Sequence, residues 1–188
     1  MRQKHFYTFF ISTVIGLALC GCRGQLYKVA APPKVTPPPL APAEGELIAA
    51  ARALTSDEAI EQFDANLLLA GLVTVDVRLV NQTAEGVQLG ALRWELSDGG
   101  GTLFKLLTPK KALARVMSYY GNRLYLPTAY QQTLEKYEAL ALPLTATLAP
   151  QEERRGFLFF ETKYEVTGIS GLTLTIAGQA SPITLKLN

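Results

Sequence analysis

The residues LVTVDVRLVN, from Leu72 to Asn81, carry the clearest strand pattern in the 188-residue chain. Apolar side chains alternate there with polar ones, which is the period of a strand with one face in a core and the other in water. The apolar positions are Val73, Val75, Val77 and Leu79, and the polar ones are Thr74, Asp76 and Arg78. We therefore expect a half-buried strand within a mainly β domain.

Further short strands follow, separated by turn signals. They are expected at residues 87–96, 102–107, 142–148, 156–161, 172–176 and 183–187. Gly90 is expected to mark a bulge, and Trp94 a core position. The run Gly156 to Glu161 is apolar on both faces and should be a central strand, whereas Pro182 favours an edge position for the last strand. About seven such strands predict a β-sandwich.

Helical signals precede and interrupt these strands. Residues 46–54 fit either a helix or a first strand, and Thr55 with Glu58 forms a capping-box pattern that opens a short helix. A helical hairpin is predicted over about residues 108–141, with Thr108 as N-cap and Gly121 closing its first helix. Its second helix should start at Pro127 or Thr128 and run to about Leu140.

The predicted hairpin collects arginine and tyrosine side chains, the types that dominate protein-binding hot spots. Four of them are the candidate partner-binding residues: Arg115, Tyr119, Arg123 and Tyr125. The alternative is that the tyrosines pack the hairpin onto the sheet while the cations are solvated.

The N-terminus has the pattern of an export signal. Met1 to His5 contains Arg2 and Lys4, and Phe6 to Leu19 is an apolar run too short to span a bilayer. The following Leu19-Cys20-Gly21-Cys22 resembles a bacterial lipobox, which implies cleavage after Gly21 and lipidation of Cys22. The alternative is an ordinary secretory signal with two incidental cysteines.

Three segments follow from this interpretation: a signal peptide at residues 1–21, the lipidated cysteine with a Pro-rich linker at 22–45, and the domain at 46–188. Six prolines crowd the linker: Pro32, Pro33, Pro37, Pro38, Pro39 and Pro42. Such a stretch favours an extended, semi-rigid spacer, and a proline-motif ligand is the alternative.

The composition excludes several function classes. The only histidine is His5, and the only cysteines are Cys20 and Cys22. The mature domain therefore lacks the side chains for Cys-His or Ser-His-Asp catalysis and for a His or Cys zinc site, and we expect no cofactor and no metal. Removal of Arg2 and Lys4 with the signal leaves 16 basic against 16 acidic residues, which gives no electrostatic case for binding nucleic acid.

A second resemblance rests on Leu148-Ala149-Pro150-Gln151-Glu152 and Arg155-Gly156-Phe157, together with the strand that ends at Asn81. These stretches resemble the immunoglobulin-like domains of small exported bacterial proteins, over roughly Leu72 to Leu187. Gln151 stands where that pattern usually has glycine, and the helical hairpin is extra. The resemblance implies an immunoglobulin-like β-sandwich without catalytic activity.

We expect a lipoprotein of the cell envelope that is not an enzyme and that presents its domain to a protein partner. In a cell with two membranes, the outer one, facing the periplasm, is the expected location. A hydrolase acting on envelope glycan through paired carboxylates is one alternative, with Glu135 and Glu138 or Glu152 and Glu153 as the pairs. A purely structural lipoprotein is the other. The glycosylation sequon at Asn81 and Thr83 is expected to be incidental.

Overall fold

A computed structural model describes residues 35–39, 47–121, 127–162, 170–179 and 181–187. The strands are β1 Leu47–Ala53, β2 Leu72–Asn81, β3 Val87–Gln88, β4 Arg93–Ser97, β5 Leu103–Leu107, β6 Thr147–Leu148, β7 Glu153–Glu161, β8 Leu172–Ala177 and β9 Ile183–Leu187. The helices are α1 Ser56–Phe63, α2 Pro109–Tyr119 and α3 Pro127–Leu140, with a 3₁₀ turn at Leu89–Ala91. None of the helices within these ranges is long and apolar enough to cross a membrane.

Seven of the strands form one antiparallel sheet in the order β1-β2-β7-β5-β4-β8-β9, and β3 pairs with β6 beside it. The sheet curls so that its two end strands, β1 and β9, approach each other. The prediction of a mainly β fold is confirmed. The more specific prediction of an immunoglobulin-like sandwich is not confirmed, because the seven strands run in one continuous order.

The inner face of the curled sheet holds the main core. The β2 pattern is confirmed on this side, where Val73, Val75, Val77 and Leu79 are all buried. Trp94 lies in the same core and donates from Nε1 to the carbonyl of Leu89 at 3.3 Å, as expected of a buried indole. Strand β7 contributes Leu158 and Phe160 to this interior.

The outer face of the sheet is not the wet surface that the alternation in β2 predicted. Thr74 and Asp76 are both buried there. Asp76 is bonded to Arg155 of the neighbouring strand β7, and Arg155 also contacts residue Val35 from the chain before the domain. The polar side chain of Asp76 is thus covered by distant parts of the chain. The alternation within one strand cannot predict such contacts.

A second core lies between β7 and the three helices. Phe157 and Phe159 point outward from β7, and Phe63 of α1 meets their rings at centroid distances of 5.4 Å and 5.5 Å. Tyr137 of α3 stacks on Phe159 at 5.7 Å. Strand β7 therefore has apolar contacts on both faces, which confirms its prediction as a central strand.

Two of the predicted strands differ from the structure. Residues 87–96 are interrupted by the 3₁₀ turn, so Gly90 lies in that turn and not in a bulge. A Cβ at Gly90 would lie 2.9 Å from the carbonyl oxygen of Leu144, so the glycine admits a passing loop. Residues 142–148 form a strand only at Thr147–Leu148, because a turn closes between Pro143 and Ala146. The ambiguous stretch 46–54 is strand β1.

Helix caps agree with the sequence. Thr55 and Glu58 form the capping box of α1, with both reciprocal hydrogen bonds present. The Thr108 hydroxyl accepts from the backbone N–H of Lys111 to cap α2, and Gly121 follows that helix with φ at 68°.

Asn81, the sequon residue, is a buried structural centre. Its Nδ2 donates to the carbonyls of Glu85 at 2.8 Å, Leu148 at 2.9 Å and Ala149 at 3.1 Å. Its Oδ1 accepts from the backbone and hydroxyl of Thr83. The side chain therefore joins the turn after β2 to the turn before β7.

Candidate functional site

A groove of about 380 Å³ opens between α1, α2 and α3 on the outer side of the second core. Its base is apolar, with Phe63, Val116 and Tyr137 buried, and Ile60 and Tyr120 stand at its mouth with 46% and 42% of their surface exposed. The rest of its lining is Asp64, Ala65, Asn66, Leu113, Met117 and Thr133. We call this surface the helical groove.

The sequence builds the helical groove from two short amphipathic helices. Ile60 and Phe63 are three residues apart on α1, and Leu113, Val116 and Tyr120 recur at helical spacing along and just after α2. A threonine caps the N-terminus of each helix, Thr55 for α1 and Thr108 for α2, and so fixes where the helix begins. The inner residue of each set enters the second core, and the outer residue is left at the groove.

Two adjacent tyrosines stand at one end of the helical groove. The rings of Tyr119 and Tyr120 meet edge to face at 5.0 Å, and Tyr119 is 43% exposed. Tyr120 Oη lies 3.2 Å from both the N–H and the carbonyl of Asn66, so it accepts from one and donates to the other. Tyr120 is therefore held in place before any partner arrives, which lowers the entropy cost of using it as an anchor.

The four predicted binding residues separate in the structure. Tyr119 lies on the open surface beside the groove. Arg115 turns away into the fold: its Nε donates to the Ala70 carbonyl at 2.8 Å and its Nη1 to Glu161 Oε1 at 2.6 Å. Arg123 and Tyr125 lie outside the described residues. Arg115 thus fastens α2 to the end of β7, and its use by a partner stays a prediction.

Ile60 and Met117 line the helical groove but are not among the residues predicted to bind a partner. Ile60 lies three residues before Phe63 on α1, and Met117 follows the buried Val116 on α2. The sequence does indicate this surface, because the apolar faces of α1 and α2 are wide. They have more apolar side chains than contact with the sheet alone can cover.

Three of the four carboxylates considered for hydrolysis, Glu135, Glu152 and Glu153, are hydrogen-bonded to other residues. Glu153 accepts two hydrogen bonds from Arg78, at 2.7 Å and 2.8 Å, and these bonds lower its pKa. Glu152 accepts from the Ala149 N–H and from Arg154, which also lowers its pKa. Glu135 accepts from Gln131 at 3.1 Å. A general acid needs a raised pKa, so the directions found at Glu152 and Glu153 are opposite to that requirement.

Within the described ranges, no group of three His, Cys, Asp or Glu side chains is placed to hold a metal ion.

Comparisons with known proteins give no identity. No family model matches the chain, and no curated protein matches it. Among solved structures it is similar to a conserved hypothetical protein from Bacillus anthracis, at 13% identity over 77% of this chain and 90% of that one, with a TM-score of 0.34. A likeness of that size supports no conclusion about this chain.

Proposed function

We propose that this protein is a lipid-anchored component of a bacterial cell envelope that binds a protein partner through the helical groove. The observation that carries the binding role is the pair of exposed tyrosines beside an apolar groove with Ile60 at its mouth. Aromatic side chains next to a desolvated pocket are the usual centre of a protein interface. A non-catalytic role and an immunoglobulin-like β-sandwich, as the resemblance at Leu148–Glu152 implies, belong to this proposal.

The chemistry of the helical groove defines the partner's contact. Its volume of about 380 Å³ is at the small end of ligand pockets, which hold about 300–1,000 Å³. Its base offers no charge, and the Lys136–Asp64 pair, at 2.6 Å, lies near its rim. An aliphatic or aromatic side chain from a partner's helix or loop fits such a site, with polar contacts at the edge.

The anchor places this surface at a membrane. Lipidation of Cys22 with two or three acyl chains would hold the domain durably, since each buried methylene contributes about 0.8 kcal/mol. In a cell with two membranes, we place the domain on the periplasmic side of the outer membrane.

Replacement of Cys22 by alanine is expected to abolish the acyl mass and to leave residues 1–21 uncleaved. The reason is that Cys22 is the acceptor of the thioether lipid, and cleavage after Gly21 depends on that lipid. Intact mass measures both changes. Cys20→Ala is the matched control and should keep both the acyl mass and the cleavage. Purified wild-type protein that retains residues 1–21 would contradict the anchor.

A photo-crosslinking amino acid at Ile60 is expected to give a discrete, saturable adduct in living cells. Leu103 is the control position, because it is an apolar residue, 64% exposed on β5, that does not line the helical groove. Tyr120→Ala should weaken the Ile60 adduct about tenfold, the typical effect at an interface anchor. Equal labelling from both positions, or an adduct insensitive to Tyr120, would oppose a role for this groove.

A further inference from the structure

Residues 35–39 belong to the predicted spacer, yet they lie against the domain. Arg155 Nη2 donates to the Val35 carbonyl at 3.0 Å, and Arg52 Nε donates to the Thr36 carbonyl at 3.2 Å. Two consecutive backbone carbonyls are therefore held by arginines from two different strands, β7 and β1. A spacer that only separates two bodies needs no such contacts.

Asp76 fixes both arginines from beneath. It is 0% exposed, and its two oxygens accept from Arg155 Nε at 2.9 Å and Nη2 at 2.6 Å. Arg52 is its direct cross-strand neighbour in β1, with Nε 3.9 Å from Asp76 Oδ2. A buried carboxylate is tolerated only when it is paired and hydrogen-bonded. Here both arginines pair with Asp76, and the same nitrogens, Arg155 Nη2 and Arg52 Nε, also donate to the carbonyls of the segment.

Glu58 completes the charge balance. Its oxygens accept from Arg52 Nη1 at 2.8 Å and 2.9 Å. Burial by itself would raise the pKa of Glu58, but the hydrogen bonds from Arg52 and Thr55 outweigh it and the pKa is lowered. The bond to Asp76 raises the pKa of Arg155, so that side chain stays charged. Two cations and two anions thus form one network under the segment.

Apolar contacts also hold this segment. Val35 packs against the second core, and Pro38 is buried. A groove of about 590 Å³ continues from the segment along α3 and β7, lined by Val35, Pro37, Ala139, Leu140 and Phe157 among others. The prolines favour an extended backbone, which leaves the carbonyls free to accept from the arginines.

We propose that Arg52, Asp76 and Arg155 form an arginine clamp, an intramolecular docking site for the extended, proline-rich residues 35–39. The tether of the domain then starts at Val35 and not at the end of the linker. If Cys22 carries the lipid, as proposed above, about 13 residues remain between anchor and docked segment. At about 3.1 Å each they reach about 40 Å, roughly half of what the whole linker would span. The docking itself does not depend on the lipid.

The test measures the position of the segment in the full chain with Cys20→Ala and Cys22→Ala, so that introduced cysteines are the only thiols. Spin labels at Pro39→Cys and Ala139→Cys, both exposed positions, report the distance between the segment and α3 by pulsed electron resonance. The parent should give one short, narrow distance. Arg155→Lys keeps the positive charge but loses the forked donor geometry of the guanidinium group. Val35→Gly removes the apolar contact of the segment and changes no residue of the β-rich domain. Either should make the distribution at least about twofold wider.

Glu153→Gln is the control, because it breaks the Arg78–Glu153 pair on the same two strands without contacting the segment. It should leave the narrow distance unchanged. A broad distribution in the parent, or a narrow one that survives both Arg155→Lys and Val35→Gly, would overturn the proposal. If Arg155→Lys fails to fold, Val35→Gly decides alone. None of these results depends on the helical groove or on lipidation.

Discussion

Gly156→Ala is expected to lower the free energy of unfolding by about 3 kcal/mol or more, a large share of the roughly 5–15 kcal/mol that is ordinary for a domain. A Cβ at this position would lie 2.5 Å from both the N and the Cα of Leu142 and 2.9 Å from the carbonyl carbon of Ala141. These are backbone atoms, so no side chain can rotate away. Urea denaturation followed by tryptophan fluorescence measures the loss, since Trp94 is the only tryptophan and lies in the main core.

The close approach at Gly156 is part of the topology. The Leu142 N–H donates to the Phe157 carbonyl at 3.0 Å, and Ala141 forms a parallel bridge with Phe157. The chain leaving α3 therefore crosses β7 at the glycine. Gly99→Ala is the matched control, because its Cβ would meet nothing closer than 3.9 Å, and it should cost less than about 1 kcal/mol. Equal stability of the two variants would show that residues 141–142 can move off β7.

Asn81→Asp is expected to destabilise the domain by about 2–4 kcal/mol at pH 7. The change keeps the shape of the side chain but replaces the Nδ2 donor, which serves three carbonyl oxygens, with a second acceptor. The carboxylate would be buried against those carbonyls, so its protonated form is favoured and its pKa in the folded state should be raised. The variant should therefore regain part of its stability as the pH falls from 7 through this raised pKa toward about 4, the ordinary value for aspartate, and should regain no more below that value.

Asn66→Asp is the control for this charge change. Asn66 uses its Oδ1 to accept from the Leu69 N–H at 3.2 Å, and aspartate keeps that acceptor. Thermal melts of both variants at pH 7 and at pH 3.5 give the comparison. A loss at Asn81→Asp no larger than at Asn66→Asp, with no recovery in acid, would mean that the two turns do not depend on this amide.

Much of the secondary structure could be predicted from the sequence because its signals are local. Strand β2 matches its predicted bounds, α1 and α2 begin at their predicted caps, and α3 begins at Pro127, one of its two predicted starts. The order of strands could not be predicted, since β2 pairs with β7 and the hydrogen bond between Asp76 and Arg155 joins residues 79 positions apart. The periodicity of one strand gives no information about residues so far apart in the sequence. The outer face of β2 was therefore expected to be exposed to solvent.

The same limit applied to the candidate site. Tyr119 could be identified by its type and its place on α2. Arg115 was selected on the same grounds of residue type and position on α2. However, Glu161, 46 residues later, binds its guanidinium group. Gln151 is instructive in the opposite sense: its φ is 60°, a left-handed conformation that favours glycine, which is the residue the immunoglobulin-like pattern usually has there. The sequence thus predicted a turn at this position but not the residues that the turn contacts.

The curl of the sheet also affects how the protein behaves in a crowd. End strands expose unpaired amides that can recruit strands from other molecules and start aggregation. Here β1 and β9 come close to each other, so each obstructs access to the other's free edge. A domain whose only cysteines precede it cannot rely on internal disulfide bonds to resist opening. The two edge strands instead protect each other, so the shape of the sheet itself opposes strand-by-strand aggregation.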